Sequence, residues 1–111
     1  MVEVLTSDEF RAWYGALDED AQDDVADVID ELEAHGVALR FPKTTSIKGT
    51  NYPFRELRVQ SNGRPLRVIY AFDPARNAYL IIGGDKTGDN RFYLRMVPLA
   101  ERIWREYLSG R

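Results

Sequence analysis

The chain has 111 residues, 44% of them hydrophobic, thirteen aromatic and none cysteine: enough for one domain, 1–111, with a real core, and no disulfide or thiol chemistry. Its net charge of −3 hides a division, because residues 1–34 hold twelve acidic side chains against Arg11 alone while residues 35–111 hold fourteen basic against six acidic. A basic two-thirds is the electrostatic footprint of a nucleic-acid ligand, and the acidic third is expected to face away from it.

Residues 1–10 lack the basic start and apolar stretch of a secretion signal, and no apolar run reaches the length of a membrane span. A cytoplasmic protein with no membrane partner is expected. Residues 2–5 read as a short strand. Thr6 and Glu9 have capping-box spacing and predict a helix start, with Phe10, Trp13, Tyr14 and Leu17 on one face. Asp18 restarts a second helix, in which Ala21, Val25, Val28, Ile29 and Leu32 keep an amphipathic period and aspartates fill the other side. Gly36 is a natural stop. The two helices read as an antiparallel hairpin with an acidic outer surface.

Residues 41–53 have no period and carry only Lys43 and Lys48 as charges, so they read as a long loop. Three strand-like runs follow, at 54–61, 65–73 and 78–84. Asn62-Gly63 between the first two is a strong hairpin signal, because a two-residue turn of that type needs positive φ at both positions. The turn sets a register with Arg58 opposite Arg67 and Glu56 opposite Ile69. Leu57, Val59, Leu66, Val68, Tyr70 and Phe72 then point to a core, and Glu56, Arg58 and Arg67 share the other face. Two arginines directly opposite repel, so either Glu56 or an anionic ligand offsets them. A solvated Glu–Arg face is the plain alternative.

The run 79–82 is apolar enough for a strand covered on both faces. It leads into Gly83-Gly84-Asp85-Lys86-Thr87-Gly88, then Arg91-Phe92-Tyr93. Here glycines are expected to let backbone approach a ligand, with Lys86, Arg91 and Tyr93 supplying charge and a phenol. The glycine order fits no nucleotide-binding loop. A final helix carries Leu99, Ile103, Trp104 and Tyr107 as its apolar stripe. Pro98 either opens that helix or lies within one that starts near Phe92. His35, the only histidine, lies in the helical part, so neither a histidine metal site nor Ser-His catalysis is expected.

Glu56-Leu57-Arg58, Leu66-Arg67-Val68-Ile69-Tyr70, the Gly83–Gly88 loop and Arg91-Phe92-Tyr93 together resemble the RelE/ParE toxin superfamily, in its HigB-like, phage-derived branch. The resemblance implies an α+β fold: a small antiparallel sheet of three to four strands against an N-terminal helical hairpin and a C-terminal helix. It implies the toxin of a type II toxin–antitoxin pair that cleaves mRNA in the ribosomal A site, a metal-independent endoribonuclease without cofactor. Its partners would be a cognate antitoxin, expected to be a helix-turn-helix protein, together with the ribosome and mRNA. Arg67, Lys86 and Tyr93 match catalytic positions, and Arg58, Arg91 and Lys48 are the phosphate or RNA contacts. Lys86 or Tyr93 is the expected base. Two other readings stay open: a gyrase-inhibiting toxin of the ParE kind on the same fold, and a non-catalytic interaction domain or decayed toxin.

Overall fold

The computed structural model describes residues 1–110. Five strands form one open sheet in the order β1-β5-β4-β3-β2: β1 (Val4–Thr6), β2 (Thr44–Ser46), β3 (Arg55–Ser61), β4 (Arg64–Phe72) and β5 (Ala78–Asp85). All neighbours are antiparallel except β1, which runs parallel to β5. Helices α1 (Asp8–Gly15) and α2 (Glu19–His35) cover one face, and α3 (Phe92–Leu108) covers the other. The α+β class stands, with one strand more than the expected upper count. The extra strand is β2, inside the stretch read as loop. Three residues are too few to show a period, but Thr44 and Thr45 are β-branched and pair with Leu57 and Glu56.

Asn62 and Gly63 take φ of 49° and 80°, and the hairpin register has Ser61 opposite Arg64 and Arg58 opposite Arg67, as the turn dictates. Alternation then sorts the strands. Leu57, Val59, Leu66, Val68 and Tyr70 meet Phe10 of α1 and Ala21, Val25, Val28 and Leu32 of α2. Ile69, Ala71 and Ile81 meet Phe92, Met96, Val97, Ala100, Ile103 and Trp104 of α3. The β5 strand is buried from Ala78 to Gly84 because helices cover both of its faces.

Asp18 caps α2 by accepting from the Ala21 amide at 2.8 Å, and Gly36 ends it at φ 54°. The first helix is capped one residue later than its capping-box spacing suggests. Ser7 Oγ accepts from the Phe10 amide at 2.8 Å and donates to the Ile81 carbonyl at 2.5 Å. Thr6 is already committed to β1, opposite Leu80. α3 starts at Phe92, so Pro98 lies inside it on the exposed side. Among the described residues no helix is long and apolar enough to cross a membrane.

Gly83 is a packing glycine. A Cβ built there falls inside the indole of Trp13. Gly83→Ala is therefore expected to force α1 off β5 and cost about 1–3 kcal/mol. A urea titration checks this; a midpoint equal to that of the parent protein would show that Trp13 moves aside freely.

Candidate functional site

Five side chains from four parts of the chain meet where α3 begins. Glu56 and Arg58 come from β3, Arg67 from β4, Lys86 from the loop after β5, and Tyr93 from the first turn of α3. The hairpin register puts Arg58 directly opposite Arg67. The Arg58 amide donates outward to the Lys43 carbonyl at 2.8 Å, so Arg58 and Arg67 form the kind of cross-strand pair whose side chains lie closest.

Glu56 answers the repulsion. It is 4% exposed. Its Oε1 accepts from the Tyr93 hydroxyl at 2.7 Å and lies 3.8 Å from Arg67 Nε. Its Oε2 accepts from Thr45 Oγ1 at 3.1 Å and lies 4.0 Å from an Arg58 guanidinium nitrogen. One carboxylate thus holds two guanidiniums and a phenol. Sequence reasoning used Glu56 as a counter-charge only. Its place at the centre was readable from the alternation that puts it on the arginine face, but its burial was not.

Arg67 is not on an open face, as alternation alone suggested. Its side chain is 8% exposed because α3 covers this part of the sheet. One terminal nitrogen donates to the Leu66 carbonyl at 3.0 Å, and Nε is buried with no hydrogen-bond partner. A buried donor left unpaired is costly. Among the described residues the ion-pair partner of Nε is Glu56 Oε1 at 3.8 Å, so the guanidinium is held by charge more than by a short hydrogen bond.

Burial raises the Tyr93 phenol to about 12, and the bond to Glu56 adds to the rise, with Arg67 opposing it. At neutral pH Tyr93 stays protonated and its hydroxyl donates to Glu56, which weighs against its expected use as a base. Lys86 Nζ sits 5.6 Å from the centre of the Tyr93 ring. The Lys86 amide donates to the Pro65 carbonyl at 2.9 Å, which pins the loop to β4.

Gly84 does not leave room for a ligand. It pairs with Arg67, and a Cβ there would lie 2.8 Å from the Phe92 ring. Its bare backbone lets α3 start against the sheet, which carries Tyr93 to Glu56. Arg91 is exposed at the N-cap of α3, next to the cluster in sequence. Lys48 is not brought to it. Lys48 is exposed in the segment after β2, where nearby Thr50 donates to Glu101 at 2.7 Å, two turns along α3 from Tyr93.

A cleft of about 400 Å³ opens beside the cluster. Arg58, Val59, Gln60 and Arg67 line one side, with Pro42 and Lys43, while Asp24, Asp27 and Val28 of α2 line the other. The acidic helix lies on the opposite face of the sheet, but α2 packs along β3, and its Asp24 and Asp27 reach this same cleft. Asp24→Asn with Asp27→Asn is expected to tighten binding of single-stranded RNA severalfold at low salt, with the gain fading above roughly 0.1 M salt as screening sets in. Fluorescence anisotropy measures it; equal affinity at every salt concentration would place the nucleic acid outside this cleft.

Residues 12–105 match the family described as "Phage derived protein Gp49-like (DUF891)". The chain is 35% identical over 109 residues to "Putative toxin HigB3" of Mycobacterium tuberculosis (strain ATCC 25618 / H37Rv), covering 96% of this chain and 94% of that protein. It is 32% identical over 105 residues to "Putative toxin HigB2" of the same strain, covering 92% of this chain and 52% of that longer protein. No solved structure matches it. The chain belongs to the phage-derived Gp49-like family.

Proposed function

We propose that this chain is the toxin of a type II toxin–antitoxin pair, and that it halts translation by cutting mRNA in the ribosomal A site. The observation that carries the reading is the pair Arg58 and Arg67, directly opposite each other on a shared cleft, with the buried Glu56 and a phenol held protonated beside them. A guanidinium fork fits two phosphate oxygens and stabilises the charge that builds on a pentavalent phosphorus. The toxin names of two relatives spanning most of the chain support the biological role.

The chemistry proceeds through the RNA's own 2′-hydroxyl. Arg67 and Arg58 hold the scissile phosphate. Glu56 takes the 2′-hydroxyl proton as that oxygen attacks phosphorus. Tyr93 gives its proton to the departing 5′-oxygen and regains one from Glu56 along their 2.7 Å hydrogen bond. The phosphorus–O5′ bond breaks, a 2′,3′-cyclic phosphate remains, and no net proton is consumed. The Lys86 ammonium over the Tyr93 ring favours the phenolate that forms in passing. Among the described residues no three carboxylates or histidines stand close enough together to cage a divalent ion, and the scheme uses none. The ribosome orders the message over these groups, and a cognate antitoxin restrains the toxin in the cytoplasm.

Induced expression followed by mapping of message ends tests the reading. Growth arrest with new mRNA 5′ ends inside codons is expected. Arrest with intact message and relaxed or broken DNA would install the gyrase-inhibiting reading instead, and absence of arrest the non-catalytic one.

A further inference from the structure

The segment Arg40-Phe41-Pro42-Lys43 leads into β2, and its aromatic ring is 70% exposed. A single exposed phenylalanine is ordinary. This one is placed. Its ring carries the Arg58 guanidinium at 5.7 Å from the centroid, and the next two residues, Pro42 and Lys43, line the cleft that holds Arg58 and Arg67. One face of the ring is therefore fixed against a site arginine, and its large exposure leaves the other open.

We propose that Phe41 is a stacking platform for a base of single-stranded RNA whose phosphates lie along the site arginines. The inference rests on the RNA-cleaving reading above. Arg58 links the two points: it stands over the Phe41 ring and directly opposite Arg67 in the hairpin. A base on the open ring face completes a stack of guanidinium, phenyl and nucleobase, in which the cation strengthens the arrangement from behind. Lys43, which lines the cleft and lies 3.9 Å from Glu31, is the cation on the cleft side that suits a neighbouring phosphate. Such a platform is tolerant of base identity, because every base has a π face. It would hold the strand in place without choosing the codon.

Fluorescence anisotropy tests this with a short labelled single-stranded RNA and with the same backbone carrying abasic sites. The proteins are the parent, Phe41→Ala, Phe41→Leu and Phe41→Trp. Phe41→Ala is expected to weaken RNA binding by about five- to a hundredfold. Phe41→Trp should bind as well as the parent or better. On abasic RNA, the parent and Phe41→Ala should bind alike. Phe41→Leu decides between a π face and mere apolar bulk, and Leu binding as tightly as Phe overturns the proposal. So does an alanine loss that persists on abasic RNA, or an alanine variant equal to the parent on intact RNA; the cleavage reading survives those results. A parent protein that binds neither RNA, alone or on ribosomes, overturns that reading and this proposal together.

Discussion

Arg67→Lys is expected to abolish growth arrest while leaving the protein folded. Lysine keeps one positive charge beside the buried Glu56 carboxylate, 3.8 Å from the present Nε. It loses the planar fork that grips two phosphate oxygens and neutralises them together. Losing one preset donor to a charge that develops in the transition state costs about a hundredfold or more in rate. Arg67→Ala should be just as inactive but less stable. It leaves Glu56 buried with only Arg58 at 4.0 Å and the Tyr93 and Thr45 hydroxyls as partners. A buried charge that loses one of its two guanidiniums costs about 1–3 kcal/mol, which in a domain of this size is roughly 5–15 °C in Tm. Arg58→Ala should be milder on both counts. Arg58 is about one-third exposed, and its removal relieves the cross-strand repulsion with Arg67. The checks are a growth assay on induction and thermal melts of the purified variants. A fully toxic Arg67→Lys protein removes Arg67 from the chemistry. An alanine variant as stable as the parent would mean that Glu56 needs no second guanidinium.

Much of this arrangement was readable before any coordinates. The Asn62-Gly63 turn admits one register, and that register alone places Arg58 opposite Arg67 and sends the two faces of β3 and β4 to different cores. The Asp18 cap and the α2 period were equally plain, because both are local. What failed was whatever depends on where a distant element lands. Alternation assigns Arg67 to a face but does not say that α3 will bury it. Gly83 and Gly84 looked like room for a ligand, and only the packed structure shows Trp13 and Phe92 filling that room. The carboxylates of α2 are largely exposed, as its pattern predicts, but a helix pattern fixes which side is polar and not that Asp24 and Asp27 will line the cleft of the arginines. Phe41 gave no signal at all, because the guanidinium its ring meets belongs to Arg58, seventeen residues along the chain.

The cleavage chemistry itself is expected to fail on a substrate without the attacking hydroxyl. Ribosomes holding message in the A site should yield cut mRNA from the parent protein, and the upstream fragment should end in a 2′,3′-cyclic phosphate or a 3′-phosphate. A message with 2′-deoxy or 2′-O-methyl at the cut position should stay whole. Buffers treated with EDTA and returned to magnesium should give the same cut as buffers with other divalent ions, provided the ribosomes remain intact. The proton groups then separate by variant. Glu56→Gln keeps the shape but removes the acceptor, and should slow the chemical step about a hundredfold or more. Tyr93→Phe removes the donor held 2.7 Å from Glu56 and should fall in the same range. Lys86→Met should lose less, on the order of tenfold, because the ammonium lies over the ring and moves no proton in this scheme. Single-turnover rates on saturated ribosomes separate these losses from weaker binding. Equal cutting of the 2′-deoxy message would refute attack by the 2′-hydroxyl outright. A Lys86→Met loss larger than that of Glu56→Gln would move the base from the carboxylate to the lysine. The proton would then leave through the loop that follows β5, and the buried Glu56 would keep only its task of holding Arg58, Arg67 and Tyr93 in place.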